Sequence, residues 1–198
     1  PTSKGKPFIN LLPLDEGETI TTVMKLPECE DDCKDMSIMF ATSQGNVRRN
    51  SLMDFVNVQS NGKIAMKLDE GDKLINVRIC HEDNDIMLAA RSGKCIRFPV
   101  TDVRVFVGRN STGVRGIKLA EGDEVISMSI LLHSDATSEE RDEYARIASA
   151  IKRISAERGD DSCVSPEDTG LLNVLTTEKY KEMAEREQFI LSVTSTGY

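Results

Sequence analysis

An internal repeat of about fifty residues constrains this chain more than any other feature. One copy runs through residues 17–23, then Met-Ser-Ile-Met-Phe-Ala-Thr-Ser-Gln-Gly at 36–45, then Asn-Gly-Lys-Ile-Ala-Met-Lys-Leu-Asp-Glu-Gly-Asp at 61–72. A second runs through 71–77, then Ile-Met-Leu-Ala-Ala-Arg-Ser-Gly at 86–93, then Gly-Val-Arg-Gly-Ile-Lys-Leu-Ala-Glu-Gly-Asp at 113–123. A third begins at 122–128 and resumes at 189–197, and residues 5–17 read as the tail of an earlier copy. The period lies in the range of propeller blades.

Within each copy the elements read as strands. Residues 36–42 and 85–90 are short apolar runs that end in Ser-Gln-Gly and Arg-Ser-Gly. Val47-Arg-Arg and Cys95-Ile-Arg-Phe follow, so each pair predicts a hairpin closed by a glycine-containing turn. Residues 63–68 alternate polar and apolar, as a strand with one solvated face does, and residues 74–79 do so less strictly. Short strands with regular turns and no helices between them predict an antiparallel all-β architecture.

The third copy is interrupted at about 134–187. Thr137-Ser-Glu-Glu140 has the spacing of a capping box, and Tyr144, Ile147, Ile151 and Ile154 fall on one helical face. Gly159 stands where a C-terminal cap belongs. A polar linker follows, and then a second, shorter helix from Thr177. The expected organisation is the end of a blade at 1–17, blades at 18–71 and 72–122, and an incomplete blade at 123–198 that carries an α-helical insertion. The chain as a whole reads as a fragment of a longer array.

The formal net charge is −8, but its distribution is uneven. Residues 41–118 carry 13 Lys/Arg against 8 Asp/Glu, whereas residues 1–40 carry 4 against 8 and residues 119–198 carry 8 against 17. The basic middle repeats its cations at matching positions. Arg49 and Arg97 fall four residues after Gly45 and Gly93, Lys63 and Lys67 follow Gly62, and Arg115 and Lys118 follow Gly113. Arg48, Arg104 and Arg109 add to the set. Equivalent positions in a repeat share one rim, so these cations predict either a phosphate-binding stripe or a solubilising surface on a protein-binding propeller. With no Trp and three Tyr, base stacking on single strands is disfavoured, while contact with a duplex backbone is not.

Catalysis has little support. His81 and His133 each follow a strand and lie near no nucleophile motif. Cys29 and Cys33 lie four apart among carboxylates, which falls short of a zinc signature without a second ligand pair. No metal ligands and no catalytic residues are expected. Five cysteines, an odd number at irregular spacing, predict a reducing compartment, and the cytoplasm is the expected location.

Three stretches carry a resemblance. Gly5-Lys-Pro-Phe-Ile-Asn-Leu-Leu-Pro-Leu, residues 62–72 and residues 108–123 closely resemble the C-terminal domain of the A subunit of bacterial DNA gyrase, over residues 1–132 and 188–198. The resemblance implies a partial six-bladed β-pinwheel in which neighbouring blades exchange a strand. It implies wrapping of double-stranded DNA on a basic rim at Arg48, Arg49, Lys63, Lys67, Arg97, Arg104, Arg109, Arg115 and Lys118. The partners it implies are the B subunit of the same enzyme and the remainder of the A subunit, in an A2B2 complex associated with the nucleoid. ATP and Mg2+ belong to that whole enzyme, and no cofactor is expected here. The family's basic box (Gln-Arg-Arg-Gly-Gly-Lys-Gly) does not occur in this sequence, nor does its catalytic tyrosine, so the chain itself is expected to cleave nothing. Two other readings remain. One is the similar, more degenerate domain of topoisomerase IV, and the other is an interaction propeller that docks a partner through the helical insertion.

Overall fold

The computed structural model describes the chain apart from residues 1–4, 6, 8–11, 13, 15, 16, 29, 30, 58–61, 109, 159–163 and 198. It forms two compact units, residues 1–131 and 132–198.

The first unit is built from two sheets. Strands β1 (Ser37–Thr42) and β2 (Asn46–Ser51) form the first expected hairpin, with Gly45 at φ 85° in its turn. Strands β4 (Asn84–Ala90) and β5 (Cys95–Pro99) form the second, with Gly93 at φ 88°. Each sheet is completed by strands from the following copy. Strand β3 (Leu74–Cys80) pairs with β1 and the two-residue β6 (Val114–Arg115) pairs with β2, giving the order β3-β1-β2-β6. Strand β7 (Val125–Leu132) lies beside β4, giving β5-β4-β7.

Strand β1 is buried along its whole length because both its faces are covered. Met39 and Ala41 join Val47, Ile86, Leu88, Val100, Val125 and Met128 in one cluster. Ile38 and Phe40 join Leu52, Met66 and Val77 in another. A strand sandwiched this way carries apolar residues at successive positions rather than alternate ones. Each fully buried aliphatic side chain here stabilises the unit by about 2 kcal/mol.

The repeated Gly-Asp pair explains itself in the structure. Asp72, at the start of β3, accepts hydrogen bonds from the Ser43 hydroxyl (2.8 Å) and from the backbone N–H of Gln44 (2.9 Å) and Lys73 (2.9 Å). Asp123 does the same one copy later, accepting from the Ser92 hydroxyl (2.7 Å) and from the N–H of Ser92 (3.1 Å) and Glu124 (3.0 Å). Each copy therefore latches the hairpin turn of the copy before it.

Two strand expectations are corrected. Residues 63–68 alternate as foreseen but form no strand, because a chain needs a ladder partner and the Lys67 N–H bond to the Ser111 carbonyl (3.4 Å) is the one backbone bond they make among the described residues. Residues 189–193 likewise stay outside any sheet, and Phe189, Ile190, Leu191 and Val193 are exposed.

The second unit carries two helices, α1 (Ser138–Arg158) and α2 (Thr177–Glu185). The capping box at the start of α1 forms in both directions: Thr137 N–H donates to the Glu140 carboxylate (2.7 Å) and Glu140 N–H to the Thr137 hydroxyl (3.2 Å). The expected cap at Gly159 lies outside the described residues. The apolar stripe of α1 is consumed internally. Ile147 is fully buried, and Tyr144 and Ile151 pack with it against Leu172, Leu175, Tyr180 and Met183. Ile154 is half-buried. That stripe is therefore not a free docking face, which corrects the interaction reading of it. Glu143 is buried beside the stripe, and its carboxylate accepts the N–H groups of Asn173 (2.7 Å), Val174 (2.9 Å) and Leu175 (3.0 Å). Those three donors hold it below the usual carboxylate range.

Candidate nucleic-acid interface

The edge of β2 away from β1 organises the basic residues. Phe106 N–H donates to the Arg49 carbonyl (2.8 Å), and the Asn50 side-chain amide returns a bond to the Phe106 carbonyl (2.8 Å). Farther along, Arg48 Nη1 donates to the Ser111 carbonyl (2.6 Å). Val47 then pairs with Val114 and Asn46 with Arg115. At the end, the Gly45 carbonyl accepts from the N–H of Gly116 (2.8 Å) and Ile117 (3.3 Å). Phe106, Ser111 and residues 114–117 are thus strung along residues 45–49, a span of about 13 Å.

Two glycines make this close approach possible. A Cβ on Gly113 would overlap the Val47 carbonyl, and one on Gly116 would meet Val47 Cγ1 at 2.8 Å and Leu88 Cδ1 at 2.9 Å. Gly113 also holds φ 90°, which side-chain-bearing residues rarely adopt.

The exposed cations lie on and beside this strung segment. Arg115 is exposed on it, Arg104 and Lys118 are exposed just beyond its two ends, and Lys67 is exposed where its N–H meets Ser111. Arg104 lies over the Phe106 ring, 4.3 Å from guanidinium carbon to ring centre, which fixes its direction. Sequence reasoning missed Lys94, whose ammonium donates to the Lys118 carbonyl (2.7 Å) and so joins the group. Its position one residue after Gly93 parallels that of Lys63 after Gly62, a signal that was available. Lys63 is half-buried, donates to the Asp54 carbonyl and lies over the Phe55 ring.

Arg48 and Arg49 take a different part. They are 0% and 4% exposed, and their guanidinium groups face inward. Arg48 donates through Nε to Asn50 Oδ1 (2.8 Å) and through Nη1 to Ser111, and Phe106 lies 5.1 Å from its guanidinium carbon. Its burial favours the neutral form, against the attraction of Asp54, so its pKa falls below the ordinary arginine value. Arg49 donates to the Ser37 hydroxyl (2.9 Å), the Val100 carbonyl (3.4 Å) and Glu82 (2.7 Å). Both residues were expected on a rim. Here Arg48 braces the Ser111 segment and Arg49 ties β2 to Ser37, Val100 and Glu82, because β2 lies beside a strand with both faces buried. Arg97 is set apart as well: it sits on β5 of the other sheet, and its Nε donates to the nearly buried Asp85 carboxylate (2.7 Å). Arg109 lies outside the described residues.

Among the described residues no three His, Cys, Asp or Glu side chains converge as a metal site, and Cys29 is not among them. Cys80 is buried, which pushes its thiol up to about 11, although the nearby Arg49 opposes the shift. His133 meets Asp135 (3.0 Å), while His81 is exposed.

The family profile described as DNA gyrase C-terminal domain, beta-propeller, matches residues 1–27, 37–81 and 84–131. The chain belongs to the DNA gyrase C-terminal domain family. The match to this family ends at residue 131, just before the second compact unit begins. The A subunit of DNA gyrase from Rickettsia bellii is 50% identical over 198 residues, all of this chain and 21% of the relative. That from Escherichia coli is 40% identical over 128 residues, 65% of this chain and 14% of the relative. The chain thus spans about a fifth of the length of the gyrase A subunits that match it throughout. A solved DNA gyrase A C-terminal domain superposes with a TM-score of 0.55 at 26% identity, covering 65% of this chain and 41% of that one. The C-terminal domain of DNA topoisomerase IV superposes with a TM-score of 0.58 at 23% identity, over 66% of this chain and 40% of that one, a likeness of fold alone. Gyrase-family membership thus rests on the sequence matches, which the topoisomerase IV likeness does not offset. No described helix is long and apolar enough to cross a membrane.

Proposed function

We propose that this chain is a non-catalytic module of the gyrase A subunit that binds and wraps duplex DNA through its backbone. One observation carries the reading: Lys67, Arg104, Arg115 and Lys118 stand exposed on or beside a segment whose backbone pairs with β2 through Val114 and Arg115 and whose Ser111 carbonyl accepts the Lys67 N–H. An edge of about 13 Å spans the phosphates of about four base pairs at 3.4 Å each. Cations set on a backbone-bonded edge meet phosphates with little loss of side-chain freedom and with no demand on sequence. Lys63 lies beside this group, while Arg97, engaged by Asp85, contributes weakly.

On this reading residues 1–17, 18–71, 72–122 and 123–198 are parts of successive blades of a six-bladed pinwheel, and 134–187 is an insertion. The surrounding enzyme is an A2B2 complex, completed by the B subunit, that supercoils DNA negatively at the expense of ATP with Mg2+, in the cytoplasm and on the nucleoid. Reversing the charge of Lys67, Arg104, Arg115 and Lys118 together tests the reading. Duplex affinity falls by roughly a hundredfold or more if these residues neutralise phosphates. Undiminished affinity of that quadruple variant refutes it.

A further inference from the structure

Helix α1 has a second face, which its packing against α2 leaves open. Arg146, Ser149, Ala150 and Arg153 fall at i, i+3, i+4 and i+7 and so share one side of the helix. With Ala145 and Leu171 they line a groove of about 460 Å3. Tyr144, Ile147 and Ile151, which hold α2, lie on another side. Small side chains floor the groove, and two guanidinium groups rise from it about 10.5 Å apart along the helix. Both arginines are exposed, and neither makes an ion pair among the described residues, although Asp142 and Glu157 stand one turn beyond them. Glu143 attracts Arg146, but its carboxylate is held by three backbone N–H groups. A helix face with small residues between long ones is the shape against which another helix packs.

Helix α2 carries the complementary pattern. Tyr180 and Met183 turn inward against α1, and Glu178 and Glu185 stand on the opposite side of α2. These two carboxylates are also about 10.5 Å apart along their helix. Both are exposed and make no ion pair among the described residues. The charges between them are engaged elsewhere: Glu182 receives Lys179 (3.3 Å), and Lys181 lies within electrostatic reach of Glu167. Within one chain the two patterns stay apart, because the Tyr144–Tyr180 contact fixes α2 on the other side of α1.

We infer that the α1 groove is an interaction surface for a second copy of this chain, which inserts its α2 so that Arg146 and Arg153 meet Glu178 and Glu185. The two surfaces differ, so the contact is heterologous, and each copy offers one groove and one helix. A nine-residue helix and two exposed ion pairs make a small interface. The contact is therefore weak between free chains and gains strength where copies are held close together. It lies wholly in the second unit, beyond the residues that match the family, and does not depend on the DNA-binding reading.

The test is sedimentation velocity of the full 198-residue chain over a concentration series at low and high salt. The wild-type sedimentation coefficient is expected to rise with concentration at low salt and to lose that rise at high salt. Two double variants reverse one side of the contact each: Arg146→Glu with Arg153→Glu, and Glu178→Arg with Glu185→Arg. Each is expected to keep the wild-type Tm, since all four side chains are exposed, and to self-associate at least about tenfold more weakly. An equimolar mixture of the two variants restores association, because each then meets its complement. Wild type that stays monomeric at about 1 mM, the effective concentration of tethered modules, overturns the inference. So does undiminished self-association of either double variant, or a mixture that associates no better than its components.

Discussion

Asp72→Ala removes the acceptor that locks β3 to the β1–β2 turn. The carboxylate is 9% exposed and holds the Ser43 hydroxyl and the Gln44 and Lys73 N–H groups. Lys73 N–H keeps a second acceptor in Ser43 Oγ (3.0 Å), so the groups stranded are the Ser43 hydroxyl and the Gln44 amide. The Ser43 hydroxyl is buried and the Gln44 amide partly so, and leaving both without this partner costs about 2–3 kcal/mol together. For a unit of this size that corresponds to a fall in Tm of roughly 10 °C. Asp72→Asn keeps the size and one acceptor oxygen, so about 1 kcal/mol is lost. The effect depends on pH in a definite direction. Burial resists ionisation of Asp72, but hydrogen bonds from Thr42, Gln44, Ser43 and Lys73 outweigh it and hold the carboxyl below its ordinary value. A depressed folded pKa means the latch stabilises fully above the unfolded value of about 3.9 and fades as pH falls through the folded one. Thermal melts of wild type and Asp72→Ala therefore separate at neutral pH and draw together in acid. Coincident melts at neutral pH, or a gap that widens in acid, refute the latch. Asp123→Ala breaks the same latch one copy later at a more exposed position and has the smaller effect.

Other consequences follow from single contacts. Gly113→Ala forces a methyl group onto the Val47 carbonyl at a positive φ and lowers stability by about 3 kcal/mol or more, whereas Gly93→Ala, with open space around it, costs about 1 kcal/mol in guanidinium melts. Glu143→Gln loosens the packing of α2 on α1, followed by amide exchange at Asn173, Val174 and Leu175. The loss relative to wild type is greatest near neutral pH and disappears in acid, as expected for a carboxylate whose folded pKa is depressed. Arg48→Met leaves the salt slope of duplex binding unchanged, because a buried brace touches no phosphate. A slope flatter by about 0.9 would return Arg48 to the rim.

Much of the fold was legible because the repeat wrote it several times. Both hairpins, β3 and β7 stand where apolar runs and glycine turns place them, and the capping box at Thr137 and Glu140 forms as its spacing requires. What failed to show was pairing. Residues 63–68 alternate like a strand, but alternation records which face is wet and not whether a neighbour supplies ladder bonds. The exposure of the basic residues was half legible for a related reason. Arg115 and Lys118 are exposed as expected, while Arg48 and Arg49 carry the same charge in the same kind of motif and are buried. A warning was present in the unbroken apolar run at 38–41, since a strand covered on both faces draws its hairpin partner into the interior with it. No pattern announced Glu143, because the loop it caps lies some thirty residues downstream and only the packed helices bring the two together.

The most direct test of duplex wrapping by an ordered cation edge is the salt dependence of binding by the wild-type chain. Four to six phosphate contacts predict a slope of log K against log salt of about −3.6 to −5.4, or at least a roughly 150-fold loss over a fourfold rise in salt. A slope near zero, or binding that ignores the phosphate backbone and follows base sequence instead, would contradict it.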